Sequence, residues 1–337
     1  MYEIRLCKSE EIDLLTVFLK NSWSANHIFT KNNDLLNFQH RALDSYTFVV
    51  AYHSETNCFH GVLGIISPDF YVDRKIGKEQ HLWLTMWKVD KNIAESNSLG
   101  MDMLSYVESE LSPKSISAIG INNQVALLYK LIGFKTKTMN QWVLPNRNIV
   151  DPKLLIGDLP ECLNQSSISS DLVVDCGIEQ ESYIREFLTH GRARRSSSYI
   201  VQRYLKHPTY KYSVYAFKKI ESSIYAVAVG RKVTANGANA FRLTELFFDS
   251  NYSSSIGASL RLLMDHNGYE YIDFLEYGYE LQSLIEIGFI RCSEQLFVPH
   301  LFEPFIAERS EVKIAFKSCE PFICTKGDSD LDRPSLG

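Results

Sequence analysis

Residues 122–134 read NNQVALLYKLIGF, and this stretch decides the fold. It follows an apolar, strand-like run, and its own apolar residues recur at helical spacing. Gly133 suits the left-handed residue that ends a helix, after which Phe134 can pack back on a sheet. The order of strand, helix carrying Tyr129 and glycine stop predicts an α/β unit.

The same order of elements occurs a second time further along the chain. The offset between copies is 159 residues at the first match (84 to 243) and 155 at the last (134 to 289). A repeat of this length has to be recognised before any fold is assigned. The matched pairs, in chain order, are LTMWKVD at 84–90 with LTELFFD at 243–249, Leu99-Gly100 with Ile256-Gly257, ISAIGI at 116–121 with YIDFLE at 271–276, and LYKLIGF at 128–134 with LIEIGF at 284–289, each last segment being followed by a β-like run that ends at Pro145 or Pro299.

The repeat predicts an internal duplication with two tandem α/β domains, each a mixed central β-sheet flanked by helices. We place the first domain at residues 1–147 and the second at 171–318. Residues 148–170 are rich in Asn, Pro and Ser, which is typical of a linker. Residues 319–337 form a polar tail, which is either poorly packed or folded over a substrate pocket.

The composition is that of a packed globular protein. Among 337 residues, 45% are hydrophobic and 22% are charged, and the formal net charge is −5 with a pI near 6.0. A nucleic-acid-binding protein would normally present a basic face, so no nucleic-acid partner is expected. No apolar run approaches the ~18–20 residues that span a bilayer, and the N-terminus lacks a signal-peptide core. We therefore expect a cytoplasmic protein without a transmembrane segment.

The cysteines carry no metal-site pattern. All seven are scattered, with no CxxC pair and no Cys/His cluster, which favours reduced and mostly buried thiols. The tail has the Asp-x-Asp-x-Asp spacing that begins a calcium loop, but it lacks that loop's glycine and its closing glutamate. The sequence thus predicts no metal.

The order of strand, glycine turn, helix, strand, tyrosine-bearing helix, Gly-Phe and strand resembles the GNAT acyltransferase superfamily. In that family the glycine turn holds the pyrophosphate of acyl-CoA, and a helix N-terminus offers free N–H groups for it. The resemblance implies that Leu99, Gly100 and Met101 bind acetyl-CoA or another acyl-CoA. It also implies that a backbone N–H near Val89 binds the acyl carbonyl where the core strands splay apart. Helix capping or packing would explain the lone Gly100 equally well.

The tyrosine-bearing helix matches the family better than the glycine turn does. In the family, an Asn follows the second core strand and a Tyr on the next helix protonates the departing thiolate. Asn122 and Tyr129 occupy those places, and the alternative for Tyr129 is an ordinary half-buried aromatic. His81 is the candidate base, because an unperturbed imidazole titrates near neutral pH, or else it is a surface residue. The second copy has Leu284 in place of the tyrosine.

The second copy is richer in groups that could bind an acceptor. Glu245 and Asp273 lie on predicted strands, where a carboxylate is unfavourable unless it is paired. They either line a substrate pocket or pair with Arg242 or Arg231. Arg195 lies in the densest basic stretch, 192–203, which is either a phosphate site or a solvated helix face. The complete set of predicted substrate-binding residues is Glu245, Asp273, Glu276, Tyr277, Glu303 and Arg195.

The whole chain also resembles proteins of bacterial surface-polysaccharide gene clusters, through the LWLTMWKVD, YIDFLEYG, VPHLFEPF and KGDSDLDRPS segments. This resemblance implies N- or O-acyl transfer to an amino sugar or glycan precursor, free or linked to a nucleotide or lipid. A tandem pair of GNAT folds is also similar to the Fem-type aminoacyl transferases, in which one half can be silent. A third reading is a non-catalytic scaffold or sugar-binding protein.

Overall fold

A computed structural model describes residues 1–93, 96–160, 172–175, 181–189, 195–218 and 224–334. These residues form two compact units. Unit 1 contains residues 1–137, 313–321 and 329–334, and unit 2 contains 138–312 and 322–328. Each unit therefore includes a segment from the sequence half that contributes mainly to the other.

Unit 1 is built on a seven-stranded sheet with helices on both faces. Its elements are β1 (Tyr2–Lys8), α1 (Ile12–Phe18) continued by a π-helical turn (Leu19–Trp23), α2 (Ile28–Lys31), α3 (Asn33–His40), β2 (Ser45–His53), β3 (Cys58–Ile66), α4 (Pro68–Asp73), β4 (His81–Val89), α5 (Ser96–Glu110), β5 (Ser115–Ile121), α6 (Asn123–Leu131), β6 (Lys135–Thr138) and, after the elements of unit 2, β18 (Lys313–Ser318).

Unit 2 is built on an eight-stranded sheet. Its elements are β7 (Asn140–Pro145), β8 (Ile156–Gly157), β9 (Leu172–Asp175), α7 (Glu181–Thr189), α8 (Ser197–Ile200) continued by a π-helical turn (Val201–Leu205), β10 (Ser213–Lys218), β11 (Ile224–Ala235), β12 (Ala238–Phe248), α9 (Ser253–Asn267), β13 (Tyr271–Tyr277), α10 (Leu281–Ile287), β14 (Ile290–Arg291), β15 (Leu296–Phe297), β16 (Leu301–Phe302), β17 (Phe305–Ile306) and β19 (Cys324–Thr325).

The two sheets have the same strand order, which confirms the predicted fold class. The sheet of unit 1 runs β1-β2-β3-β4-β5-β18-β6, and that of unit 2 runs β9-β10-β11-β12-β13-β7-β14. In each sheet one pair is parallel, β4 with β5 and β12 with β13. The strand after that pair comes from the other half of the sequence, so β18 and β7 have been exchanged.

This exchange differs from the sequence-based boundaries at residues 147 and 318. Those boundaries place β7 in the first domain and β18 in the second, whereas each lies in the opposite unit. The structural counterpart of β7 is β18 and not the run that ends at Pro299. The sequence of a strand does not show which distant strand it pairs with. The alternating pattern of β7 or of β18 would suit either sheet equally well.

The sheet of unit 1 separates two apolar clusters. Val49 and Ala51 of β2 pack toward α5, and the alternate residues Phe48 and Val50 pack toward the α1–α3 side. This alternation follows from the period of two along a strand. Both faces are buried, so the central strands are apolar almost throughout, as the sequence indicated.

The helices after β4 and β12 are matched residue for residue. Each has 15 residues, and Gly100 and Gly257 are each the fifth residue of their helix. The glycine turn predicted at Gly100 is thus replaced by helix. A Cβ on Gly257 would lie 2.1 Å from the Ile287 carbonyl oxygen, whereas one on Gly100 would meet only Trp87, at 3.5 Å. Close packing of α9 on α10 therefore requires Gly257, but nothing comparable requires Gly100.

The polar C-terminal residues are packed. Residues 324–329 are all buried, and so are Asp332 and Pro334. The poorly packed alternative for residues 319–337 therefore does not describe residues 324–334, although residues 319–321 are exposed. Ion pairs and strand hydrogen bonds, described below, compensate for burying these polar groups. None of the described helices is long and apolar enough to cross a membrane.

The two matched glycines should respond oppositely to the same change. Gly257→Ala should lower the free energy of unfolding by about 1–3 kcal/mol, because the added methyl overlaps a backbone carbonyl. Gly100→Ala should be neutral or stabilising by up to about 1 kcal/mol, since alanine favours a helix and the methyl has room. Urea denaturation of both variants checks this. Equal losses would mean that the packing of α9 on α10 is not the cause.

Candidate functional site

The parallel strands of unit 1 pair only along their first halves. β4 and β5 are in register from His81 with Ser115 to Leu84 with Ala118, and no later pair forms. Beyond Leu84 the two strands therefore diverge and leave an opening in the sheet. The splayed strands expected from the sequence are present, and we call this opening the unit 1 splay.

A β-bulge lies at the point where the splay begins. β3 contributes only Gly64 opposite Thr85 and Met86, since Leu63 pairs with Trp87 and Ile65 with Leu84. A Cβ on Gly64 would lie 2.3 Å from the Thr85 hydroxyl oxygen, so the bulge needs glycine there. A bulge bends a strand and re-aims its groups, which explains how β4 turns away from β5.

The bulge leaves two peptide groups of β4 directed into the splay. The Asp90 N–H donates to the His60 carbonyl at 2.8 Å, so Asp90 and His60 are a hydrogen-bonded pair of the antiparallel ladder. Hydrogen-bonded and non-hydrogen-bonded pairs alternate along such a ladder, so Val89 and Trp87 are in non-hydrogen-bonded pairs with β3. Their N–H groups therefore point away from β3. Among the described residues, none hydrogen-bonds these groups from the side of β5. The predicted donor near Val89 thus has the required direction.

Unit 2 has the same splay, but a segment of the chain fills it. β12 and β13 pair only as far as Leu243 with Phe274, and a bulge again follows, at Thr244 and Glu245. Residues 324–327 enter this gap. They pair with β13, and the N–H groups of Lys326 and Gly327 donate to the carbonyls of Leu275 and Thr244, at 3.0 and 3.2 Å.

Buried polar groups hold this segment in place. Arg195 and Asp328 form an ion pair at 2.5 Å, with both side chains nearly inaccessible. Burial opposes the charge on Arg195, but Asp328 and other nearby groups raise its pKa above the ordinary value. Glu245 accepts hydrogen bonds from Tyr204, at 2.9 Å, and from Thr325, at 3.2 Å. The segment is thus bound as a ligand would be, through backbone and charge.

These contacts revise the predicted acceptor site. Arg195, Glu245, Glu276 and Tyr277 are brought together, but they surround the chain's own residues 324–328. Glu276 is fully buried and accepts from Trp142 at 2.8 Å. A carboxylate of the tail occupies the place at Arg195 where the sequence suggested a phosphate.

The other two predicted acceptor residues lie apart from this cluster. Asp273 is buried against Arg242, which donates to it at 3.0–3.4 Å, so the paired alternative is the one observed. Glu303 is half-exposed and accepts from the Tyr210 hydroxyl at 2.7 Å. Arg231 stacks on the same tyrosine ring, 3.7 Å from its centroid.

Tyr129 lies beside the unit 1 splay. Its side chain is 2% exposed and packs against Trp87 and Phe134, with ring centroids 5.6 and 4.8 Å away. Burial raises the pKa of Tyr129 above its ordinary value, so the phenol is protonated at neutral pH. No described residue hydrogen-bonds its hydroxyl. The ring is therefore part of the core, and its role as an acid stays a prediction.

The remaining predicted residues of unit 1 differ in their relation to the splay. Leu99 and Met101 lie on α5 and belong to the apolar cluster between this helix and the sheet. The side chain of Asn122 caps α6, since it accepts a hydrogen bond from the Val125 N–H at 2.9 Å. His81 begins β4, where the strands are still paired, and its Nδ1 hydrogen-bonds the Ser115 hydroxyl at 2.8 Å. It precedes the bulge by four residues, or about 13 Å of strand, which is too far to act on a group held there.

A second group of side chains flanks the splay on the α1–α3 side, and the sequence did not suggest it. Trp23, His27 and Phe29 form a series of ring contacts at 5.7 and 5.3 Å. Lys88 of β4 lies 5.9 Å from the Trp23 ring, and Arg333 lies 5.8 Å from that of Phe29. These residues come from three distant segments, so no local motif marks them.

Two histidines on this side are held neutral. Burial lowers the pKa of His27 to about 4 and that of His40 to about 3, and the charge of Arg333 adds to both shifts. His40 stacks against Phe48 at 4.2 Å, and its Nδ1 hydrogen-bonds Thr47 at 2.8 Å. No group of three or more metal-binding side chains occurs within the described ranges.

Removing one partner of the buried Arg195–Asp328 ion pair should lower the free energy of unfolding. Asp328→Asn would leave Arg195 charged and buried without its carboxylate, which we expect to cost about 3–5 kcal/mol of unfolding free energy. Adding Arg195→Met should restore much of that loss. Glu294→Gln, at an exposed pair with Arg309, should cost at most about 1 kcal/mol. Denaturation of these three variants and of Arg195→Met alone tests this, and additive losses at residues 195 and 328 would contradict the pairing.

The buried His27 and His40 should make the free energy of unfolding decrease as the pH is lowered. Their folded pKa values lie below the ordinary value near 6.5, so the stabilisation is complete above pH 6.5 and is lost as pH falls toward 4. Each can contribute a slope of up to about 1.4 kcal/mol per pH unit. His40→Asn should remove one such slope between pH 6.5 and 5, and the exposed His266→Asn should not. An unchanged slope in His40→Asn would contradict the assignment.

Comparison with known proteins identifies the fold. No protein-family model matches the chain, and no curated protein does. A GCN5-related N-acetyltransferase from Anabaena variabilis is similar over 94% of this chain and 72% of its own, with a TM-score of 0.60 and 11% identity. One from Kribbella flavida matches over 93% and 71%, with a TM-score of 0.54 and 10% identity.

A third similar structure is N-myristoyltransferase from Saccharomyces cerevisiae with bound myristoyl-CoA. It covers 95% of this chain and 79% of its own, with a TM-score of 0.50 and 9% identity. Identities this low establish the architecture and leave the chemistry to the residues themselves. The chain thus has the GNAT fold in two tandem copies, as the repeated strand order and the parted parallel strands indicated.

Proposed function

We propose that the protein is an acyl-CoA-dependent acyltransferase whose donor site is the unit 1 splay. The observation that carries the proposal is the contrast between the two copies. In unit 2 a segment of chain satisfies the peptide groups that the parted strands expose, but in unit 1 the described residues supply no such segment. Exposed peptide groups of this kind need a partner, so a ligand with amide groups fits the unit 1 splay.

Acyl-CoA has the chemistry that this opening requires. Its pantetheine arm is extended and carries two amides, so it can bind between strands as residues 324–327 do in unit 2. A helix of 15 residues, α5, follows β4 and has no acidic residue in its first turn. The positive end of that helix suits the pyrophosphate of the cofactor. N-myristoyltransferase, of similar fold, has been solved with bound myristoyl-CoA.

The residues at the splay support direct transfer. An acceptor amine or hydroxyl would attack the thioester carbonyl, and the resulting oxyanion would accept from the Val89 N–H. When the carbon–sulfur bond breaks, the thiolate would take a proton from the Tyr129 hydroxyl, which regains one from water. The acceptor's own proton passes to solvent or to a base, for which His81 is badly placed.

For the acceptor we propose an amino sugar or a related glycan precursor, as the sequence resemblance implies. The Fem-like alternative depended on the basic stretch 192–203 as an RNA-binding face. Two of its arginines, Arg195 and Arg203, are buried, which weakens that alternative. The non-catalytic alternative applies to unit 2, because its own splay is occupied.

Calorimetric titration with acetyl-CoA tests the donor site. We expect one molecule bound per chain, since among the described residues a segment of the chain is bound in the unit 2 splay and none in the unit 1 splay. Two sites would contradict the assignment of residues 324–327 as a permanent occupant of unit 2. If acetyl-CoA and longer acyl-CoA esters all fail to bind, the proposed function is wrong.

The variant Tyr129→Phe separates catalysis, measured as turnover, from binding of acyl-CoA, measured by calorimetry. The variant should keep acyl-CoA affinity within about twofold, because the ring still fills its place, and should lose roughly 100-fold in kcat with an amine acceptor. The matched control is Tyr106→Phe on α5, which lies away from the splay and should keep full activity. Unchanged turnover in Tyr129→Phe would make that tyrosine a core residue only.

A further inference from the structure

The side of β4 that faces α5 is occupied by the apolar cluster that contains Tyr129, so the proposed reaction leaves the opposite side of β4 to the acceptor. Trp87 and Val89 belong to the cluster on the α5 side, and the alternate residues Met86 and Lys88 face the other way. Lys88 lies against Trp23, whose side chain is 41% exposed. The side of β4 opposite α5, with Lys88 and Trp23, forms one face of unit 1. Ligands of α/β sheets bind at the carboxyl ends of parallel strands where the strands part, and this face lies at those ends.

The C-terminal segment 329–334 completes this face of unit 1. At one end Arg333 lies over Phe29 of α2, 5.8 Å from the ring centroid. At the other, a Leu331 methyl carbon is 3.1 Å from the position of a Cβ on Gly120 of β5. The segment therefore runs from α2 to the parted end of β5.

Arg333 has donors to spare at this position. Its side chain is 26% exposed, and its ion pair is with Asp330, at 2.7 Å. A guanidinium carries five N–H donors, and no other described residue accepts from Arg333. Lys88 has no ion pair among the described residues. Asp330 offsets one of these two positive charges, His27 stays neutral, and the other nearby carboxylate, Asp332, is buried with partners of its own.

We propose that this face binds an acceptor whose phosphate or carboxylate group is held by Arg333, with Lys88 adding positive charge to the same face and the exposed Trp23 ring packing on the acceptor's apolar part. The inference rests on the proposed function and specifies its acceptor class. A guanidinium fork matches either anion in two-point geometry, and a lysine adds a point charge. A tryptophan face suits a sugar ring or a base.

Binding of small acceptors to the full-length protein, followed by NMR titration, tests the inference without any need for turnover. The probes are glucosamine 1-phosphate, 2-amino-2-deoxyglucuronate and glucosamine, which keep the sugar ring and carry a phosphate, a carboxylate and no anion. We expect at least one of the two anionic probes to bind roughly 10-fold or more tightly than glucosamine. Whichever binds more tightly identifies the anion.

Two variants decide whether Arg333 and Lys88 carry that preference. Arg333→Gln should weaken binding of the preferred anionic probe about 10-fold and Lys88→Gln by a smaller factor, and acetyl-CoA affinity should stay unchanged. Arg309→Gln is the matched control, because Arg309 is 32% exposed and also paired with a carboxylate, but lies in unit 2. It should bind every probe as the wild type does.

The outcomes distinguish this inference from the function on which it rests. Equal binding of charged and neutral probes, or of the wild type and Arg333→Gln, would overturn the anionic acceptor and leave the donor site intact. Failure of acetyl-CoA to bind, with the anion preference retained, would remove the acyl transfer and keep the anion site. Arg333 would then serve only to bind an anionic ligand.

Discussion

The structure depends on one constraint: a backbone N–H or C=O group that has no partner in the neighbouring strand needs another hydrogen-bond partner. Both units contain a parallel pair of strands that parts after a bulge, and both parted pairs expose N–H and C=O groups inside an otherwise saturated sheet. Leaving such groups buried without partners costs free energy comparable to lost hydrogen bonds. Each copy of the fold therefore needs something extended and amide-like in its splay.

The two copies meet this need differently, and the proposed division of roles follows from that difference. In unit 2 the need is met by residues 324–327, with Asp328 held by Arg195 and Thr325 by Glu245. These charged groups are not available to a substrate because they already bind the chain. In unit 1 no described segment pairs with the parted strands, and Tyr129 lies beside them. The two units therefore differ in whether a described segment of the chain is bound between the parted strands.

The C-terminal segment links these roles. Its first part is bound in the unit 2 splay, and the part that follows belongs to unit 1, where Arg333 lies against Phe29. Holding a short polar segment in one conformation costs roughly 1–2 kcal/mol of backbone entropy per residue. The buried ion pair and strand hydrogen bonds offset that cost. They allow a tail of mostly polar residues to hold the Arg333 guanidinium over Phe29 of unit 1.

The sequence by itself determined the element types, their order and the duplication, because these follow from local periodicity and from glycine stops such as Gly133. The resemblance to the GNAT superfamily implied that Val89 and Tyr129 lie beside parted strands, and the structure has both residues there. The sequence could not show that β7 and β18 are exchanged, that Glu245 and Arg195 bind the tail, or that Arg333 reaches Phe29. Those contacts join residues 80 or more positions apart, and their partners are set by which surfaces meet after the sheets have formed. Local pattern specifies what a segment can become, whereas only tertiary packing decides which polar groups remain open to a ligand.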